Sequence, residues 1–267
     1  MPHAFLDGSR PVAFAHRGGS EEAPENTLPA FEAAVRLGFR HLETDTHLTL
    51  DGVLMAFHDP RLDRVTDRAG TIAALPVAEV EAADAAYRWS PDGGRSFPLR
   101  GRGVRVPRLE DLLLRFPHAR VNIDPKAAAS VGPLVALIDR LGAWDRVCFG
   151  AFSDRRIARI RALSGGRACT SMGPRAVTVA RLCAGAGAIP RQGADCLQVP
   201  VRQGRIPLVT ARFVRAARRT GLPVHVWTID DERQMHALLD LGVDGLMTDR
   251  PSVLRGVFVQ RGLPWPD

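Results

Sequence analysis

VAFAHRGGSEEAPENTLPAFEAAVRLGFRHLETDTHLTLDGVLMAFHD, residues 12–59, decides how this chain folds. A short apolar run ends in His16, a second carries Glu43 and Asp45 at its end, and a third ends in His58. Runs of this length have the size of buried strands. Polar chemistry placed where strands stop is the pattern of a β/α enzyme whose site lies at the carboxyl ends of its strands. Between the first two runs Leu28, Phe31, Ala34 and Val35 share one helical face. Asn26 or Thr27 caps that helix, Pro29 suits its first turn, and Gly38 stops it. Asp51 and Gly52 turn a hairpin-like element over 48–57.

Working outward, residues 60–106 lose the pattern. A polar loop and a short helical piece lead into WSPDGGRSFPLRGRG. This excursion is long enough to overhang the site as a partly mobile cover. Regularity returns at Pro107, and strand-like and helical segments alternate to the end. The principal strands begin near residues 12, 40, 120, 147, 168, 195, 224 and 243, each followed by a helix, the second only after the excursion. Eight such units predict a (β/α)₈ TIM barrel with a small insertion after the second strand. The chain of 267 residues reads as one domain, its catalytic core over about 12–258 and its excursion over 60–106. A doubly wound open sheet is disfavoured by the strand count and by the lack of a GxGxxG turn after any strand.

Composition narrows the function. Apolar residues make up 45% and charged residues 24%, ordinary for a globular chain. The net charge of +7 favours anionic partners. No Lys/Arg run is interleaved with aromatics, so nucleic acid is not indicated. There is no apolar leader and no run of eighteen apolar residues, so the expectation is a cytoplasmic protein without integral membrane association. Cys148, Cys169, Cys183 and Cys196 form no CxxC pair and read as thiols in a reducing compartment. Trp265, between prolines near the end, is either a contact surface or a terminus packed on the barrel. The oligomeric state is left open, monomer or homodimer.

Glu43 and Asp45 lie two apart, so on a strand they share a face. Converging carboxylates suit one hard divalent cation, Mg²⁺ or Ca²⁺; the alternative is a rim pair salt-bridged to arginines. Asp124 and Lys126 end the next strand in VNIDPK, again two apart. Asp124 can add a third carboxylate and Lys126 can meet a phosphate oxygen, unless they are an ordinary loop pair. Asn122 lies on the same alternation as a supporting residue. His16 and His58 suit general acid–base work, and Asp59 is placed to steer the ring of His58. Arg17 offers a bidentate phosphate contact. Trp227 ends another strand and either walls the pocket or packs on the rim. Zinc is disfavoured, since no helix carries His-x-x-x-His. Three carboxylates, two histidines, an arginine and a lysine at strand ends make a kit for cleaving a phosphodiester.

With those residues in view, the sequence resembles the glycerophosphodiester phosphodiesterase family. The matching stretches are AHRGG, PENTLPAFEAAVRLGFRHLETDTHLTLDG, FHDPRLDRVTDRAG, VPRLEDLL, NIDPK, VHVWTID and GVDGLMTDRP, together reaching from residue 12 to 251. The resemblance implies a (β/α)₈ barrel with a small insertion and a hydrolase of lipid and glycerol metabolism. It implies release of sn-glycerol 3-phosphate and an alcohol from small glycerophosphodiesters with the help of Ca²⁺ or Mg²⁺. His16 and His58 take the family's catalytic positions; Glu43, Asp45 and Asp124 its metal positions; Arg17 and Lys126 its phosphate positions; Asn26 is a supporting residue. Asp124 stands where the family usually has glutamate, one methylene longer. The implied mechanism has two steps: a glycerol hydroxyl attacks phosphorus to give a cyclic phosphate, and water opens it. His16 is the favoured first base and His58 the acid. The alternatives are a lysophospholipase D or sphingomyelinase D-like enzyme, which needs an apolar groove that the Arg- and Gly-rich excursion does not make, and a non-catalytic anion-binding barrel.

Overall fold

The computed structural model describes residues 3–265. Eight parallel strands, β1 (Val12–Ala15), β2 (His41–Leu48), β3 (Arg120–Pro125), β4 (Val147–Phe149), β5 (Cys169–Thr170), β6 (Leu197–Pro200), β7 (Val224–Trp227) and β8 (Gly245–Thr248), pair in the order β5-β4-β3-β2-β1-β8-β7-β6. A parallel bridge between Ser171 and Cys196 joins the two ends of that order. Asp195 N–H donates to Thr170 O at 2.9 Å and Met172 N–H to Cys196 O at 3.1 Å across the same seam. The strands therefore form a ring. Each is followed by a helix: α1 (Leu28–Arg36), α2 (Leu109–Arg115), α3 (Val131–Arg140), α4 (Asp154–Leu163), α5 (Pro174–Cys183), α6 (Ala211–Arg219), α7 (Glu232–Leu241) and α8 (Pro251–Gln260). The observed strand starts lie within two residues of those read from the sequence.

Alternation along the strands separates two cores. Leu42, Val121, Ile123, Phe149, Val199, Val226 and Leu246 point outward and pack under the helices with Phe31, Leu112, Leu134 and Phe213. Each such large side chain, once buried, stabilises the fold by roughly 1.5–3 kcal/mol. The ring interior is filled lower down by Phe14, Cys148, Cys169, Cys196 and Met247, with Phe5 and Leu6 of the N-terminal turn beneath them. The helices obey their end signals. Thr27 Oγ1 accepts from Ala30 N–H at 3.4 Å at the start of α1, and Thr210 Oγ1 from Phe213 N–H at 3.2 Å at the start of α6. In α6, Phe213, Val214, Ala216 and Ala217 face inward while its arginines face water.

The excursion departs from the expected cover. A short antiparallel strand, Leu54–Ala56, pairs with β2. The chain then forms a side lobe with its own apolar centre of Phe57, Leu62, Ile72, Val80, Ala86, Val104 and Val106. None of residues 60–106 lines the main cavity. Enough apolar side chains recur in this segment to bury one another, so it has a core of its own. The element that reaches the cavity mouth is a hairpin after β6, Arg202–Gln203 paired with Ile206–Pro207. Trp265 is packed on the barrel: its Nε1–H donates to Leu37 O at 2.9 Å and its ring meets Phe39 and Phe258 edge-on. Among the described residues no helix is long and apolar enough to cross a membrane.

Candidate active site

A cavity of about 300 Å³ opens at the carboxyl ends of the strands. His16, Arg17, Glu43, Asp45, His58, Asn122, Asp124, Lys126 and Trp227 all line it. Parallel pairing sets the carboxylates side by side, with Glu43 opposite Asn122 and Asp45 opposite Asp124 in register. The turn that carries His16 and Arg17 needs its glycines. Gly18 and Gly19 have φ of 84° and 96°. A Cβ on Gly18 would stand 2.7 Å from Ala30 Cβ, and one on Gly19 would collide with the Pro251 ring. Close approach to α1 and α8 thus fixes where the turn lies.

Arg17 and Asn26 both hold positive φ, 52° and 55°. Such strain in non-glycine residues persists where surroundings over-determine it. Here Arg17 N–H donates to Glu43 Oε2 at 3.1 Å, and its guanidinium donates to Glu25 Oε1 at 3.1 Å. Its Nε lies 3.3 Å from Asp45 Oδ2. Asn26 Nδ2–H donates to Asp45 Oδ2 at 3.3 Å and its Oδ1 accepts from Thr44 at 2.8 Å. Asn26 is therefore a support beneath Asp45, and Thr27 alone performs the capping.

Lys126 Nζ stands between two carboxylates, 2.6 Å from Asp45 Oδ1 and 2.8 Å from Asp124 Oδ2. Burial pushes Asp45 up, but Lys126, Arg17 and His58 outweigh it and hold this carboxyl below its ordinary range. Burial also opposes the charge on Lys126, and the two carboxylates overcome it, so its value is raised. Glu43 has no cationic side chain as close, His16 Nε2 standing 3.7 Å away. Burial first and Asp45 second push it up to about 7. Burial likewise raises Asp124, whose Oδ1 is buried without a hydrogen-bond partner. Asn122 accepts from Gln198 Nε2–H at 2.9 Å.

Both histidines are gripped at one nitrogen. His16 Nδ1 lies 2.9 Å from Asp249 Oδ1, and His58 Nδ1 lies 2.6 Å from Asp59 Oδ1. A carboxylate only accepts, so each Nδ1 carries the proton and each Nε2 is left for chemistry. His16 Nε2 is 3.7 Å from Glu43 Oε2. Burial works against a proton on His16, yet Glu43 and Asp249 together raise its value. The reading from sequence did not single out Asp249. Its signal was the one used elsewhere, a carboxylate just past an apolar run, in GLMTDRP.

The opposite wall is apolar: Phe152, Met172, Val177, Leu208 and Trp227. Phe152 stacks edge-on against Trp227 with centroids 5.4 Å apart. Trp227 walls the cavity, and the apolar surface absent from the excursion comes instead from the loops after β4, β5 and β6. Leu208 carried no local signal, since a hairpin folds it back.

For a metal, the donor set is three buried carboxylates with one unpartnered oxygen, Asp124 Oδ1. That chemistry fits a hard divalent cation. Among the described residues no three His, Cys, Asp or Glu side chains form a group that could hold an ion as they stand, and Lys126 lies between Asp45 and Asp124.

Residues 16–253 match the Glycerophosphoryl diester phosphodiesterase family. The chain is 39% identical over 265 residues to a probable glycerophosphodiester phosphodiesterase of Mycobacterium tuberculosis, covering 97% of this chain and 94% of that protein. It is 28% identical over 277 residues to a glycerophosphodiester phosphodiesterase of Bacillus subtilis, covering 95% and 88% of the two chains. Its fold superposes with a TM-score of 0.80 on the crystal structure of a putative glycerophosphoryl diester phosphodiesterase from Silicibacter pomeroyi, at 25% identity and over 98% of each chain.

Proposed function

Because the chain belongs to the glycerophosphoryl diester phosphodiesterase family and is a phosphodiesterase of glycerophosphodiesters, we propose that it works by histidine acid–base catalysis through a cyclic phosphate, releasing sn-glycerol 3-phosphate and an alcohol. The observation that carries this reading is the pair of histidines, each held at Nδ1 by a carboxylate, lining one cavity with Arg17 and Lys126.

Arg17 and Lys126 bind the phosphodiester and offset its charge. His16 Nε2 takes the proton from the free glycerol hydroxyl as that oxygen bonds to phosphorus. His58 enters this step as the imidazolium, with Nδ1–H held by Asp59, and gives its Nε2 proton to the departing alkoxide as the bond to phosphorus breaks. In the second step the roles reverse: His58 takes a proton from water, water opens the ring, and His16 returns its proton to the glycerol oxygen. Asp249 and Asp59 stabilise whichever imidazolium forms. Glu43, Asp45 and Asp124 are the residues that would hold one Mg²⁺ or Ca²⁺, whose chemistry there is to draw charge from the phosphoryl oxygens.

A second reading rests on the apolar wall. Phe152, Val177, Leu208 and Trp227 offer a face to the acyl chain of a lysophospholipid. One assay separates the two. Release of glycerol 3-phosphate from glycerophosphocholine, glycerophosphoethanolamine and glycerophosphoglycerol is measured after metal stripping and after restoring Mg²⁺, Ca²⁺, Mn²⁺ or Zn²⁺. Cation-dependent release that His16→Ala abolishes is the expected result. Faster release of choline from lysophosphatidylcholine than from glycerophosphocholine would establish the second reading instead.

A further inference from the structure

We infer that Arg64, on the turn Leu62–Arg64 of the side lobe, is a positioning residue that keeps His58 and Arg17 in register through a single guanidinium. Arg64 does not line the cavity. Its Nε lies 2.5 Å from Asp59 Oδ2 and its Nη2 3.3 Å from Asp59 Oδ1. The same fork reaches Glu25, with Nη1 2.9 Å from Oε2 and Nη2 2.6 Å from Oε1. Asp59 Oδ1 holds His58 Nδ1, and Glu25 Oε1 holds Arg17. One planar group therefore links the proton-transfer side of the site to its phosphate side: His58–Asp59–Arg64–Glu25–Arg17.

The planar geometry is what makes the link rigid. A guanidinium can pair with two carboxylates along two edges at once, which an ammonium cannot do. The backbone under Arg64 is anchored as well. Leu62 is fully buried in the lobe's apolar centre, and Thr66 Oγ1–H donates to Leu62 O at 2.9 Å. The lobe's packing thus fixes the guanidinium, and the guanidinium fixes two active-site groups. Without it Asp59 keeps only its bond from His58 and is free to rotate. Glu25 then bears on Arg17 alone and draws it from its place beside Asp45. The lobe thereby braces the site.

The inference rests on the proposed chemistry, and its test separates the two. In Arg64→Ala, kcat for glycerophosphocholine falls about 10- to 100-fold, the scale expected when a catalytic group is misplaced by about 1 Å, while the melting temperature stays within a few degrees of the native enzyme. Arg64→Lys restores the charge and recovers less than half of the lost rate. Added to Asp59→Asn, Arg64→Ala costs less than threefold more, because both changes cut the same link. Nitrogen-15 spectra of the histidine side chains give a reading independent of turnover. In its neutral form His58 carries its proton on Nδ1 in the native protein and becomes a mixture of tautomers in Arg64→Ala. An Arg64→Ala enzyme within threefold of native kcat, a loss that multiplies fully with that of Asp59→Asn, or an unchanged His58 tautomer overturns the role. A native enzyme inactive on every glycerophosphodiester overturns the proposed chemistry instead, and the spectra still decide for or against Arg64.

Discussion

Lys126→Met tests the charge balance at the centre of the cavity. Lys126 Nζ is 2.6 Å from Asp45 and 2.8 Å from Asp124, and the three side chains are 18%, 3% and 9% exposed. Methionine keeps most of the volume and removes the cation. Breaking a buried ion pair by deleting one partner typically costs about 3–5 kcal/mol. The low end applies here, because Asp124 is already raised by burial and can take a proton to relieve the repulsion. For a chain of this size 1 kcal/mol shifts the melting temperature by roughly 2–4 °C. Lys126→Met in chelator at pH 7 is therefore expected to melt about 6–12 °C below native in a calorimeter. Asp124→Asn added to it should recover part of that loss, since the pair of like charges is gone. Millimolar Ca²⁺ or Mg²⁺ should raise the melting temperature of Lys126→Met more than that of the native enzyme, by supplying the missing positive charge. A variant that melts within 2 °C of native in chelator would show that Lys126 does not balance these carboxylates, and the assignment of charge in the cavity would fail with it.

Three further perturbations follow from the geometry. Asp249→Asn removes a charge-assisted hydrogen bond worth about 1.5–3 kcal/mol, so kcat should fall at least about 10- to 100-fold with little change in KM. His16 is raised above its ordinary value partly by Asp249; its share of stability is present below about pH 6.5 and lost as pH rises through the raised value. Denaturant titrations should therefore find Asp249→Asn more damaging at pH 5.5 than at pH 8.5. Glu43, raised from 4.5 to about 7, is favoured in its protonated form by folding, so its contribution is lost as pH rises between those values; the melting temperature of metal-free Glu43→Gln should decline less across that window than that of native enzyme. Gly19→Ala places a Cβ against the Pro251 ring at a φ of 96°, and should cost about 1–3 kcal/mol in urea unfolding along with activity, because Arg17 shares the turn.

Much of the architecture was legible because it repeats. Eight apolar runs, each followed by a helical stripe, specify strand positions to within two residues, and the period of two along β2 and β3 places Glu43, Asp45, Asn122 and Asp124 on one face before any coordinates are known. Local end chemistry located α1 through Thr27, Pro29 and Gly38. Other features depend on where distant segments meet. Asp249 reaches His16 from 233 positions away, because the parallel pairing of β1 with β8 closes the ring there. The excursion could not be read as a side lobe, since its apolar residues follow no single period and find one another only through loop closures such as Arg61 with Thr71 and Asp84 with Arg105. Apart from Trp227, the apolar wall is assembled from single residues of several segments, none of which stands out in its own segment. Sequence determined which groups lie at strand ends, because side-chain direction along a strand is a local property. Tertiary structure decided which groups touch, because distances across the ring are set by pairing and packing between segments far apart in the chain.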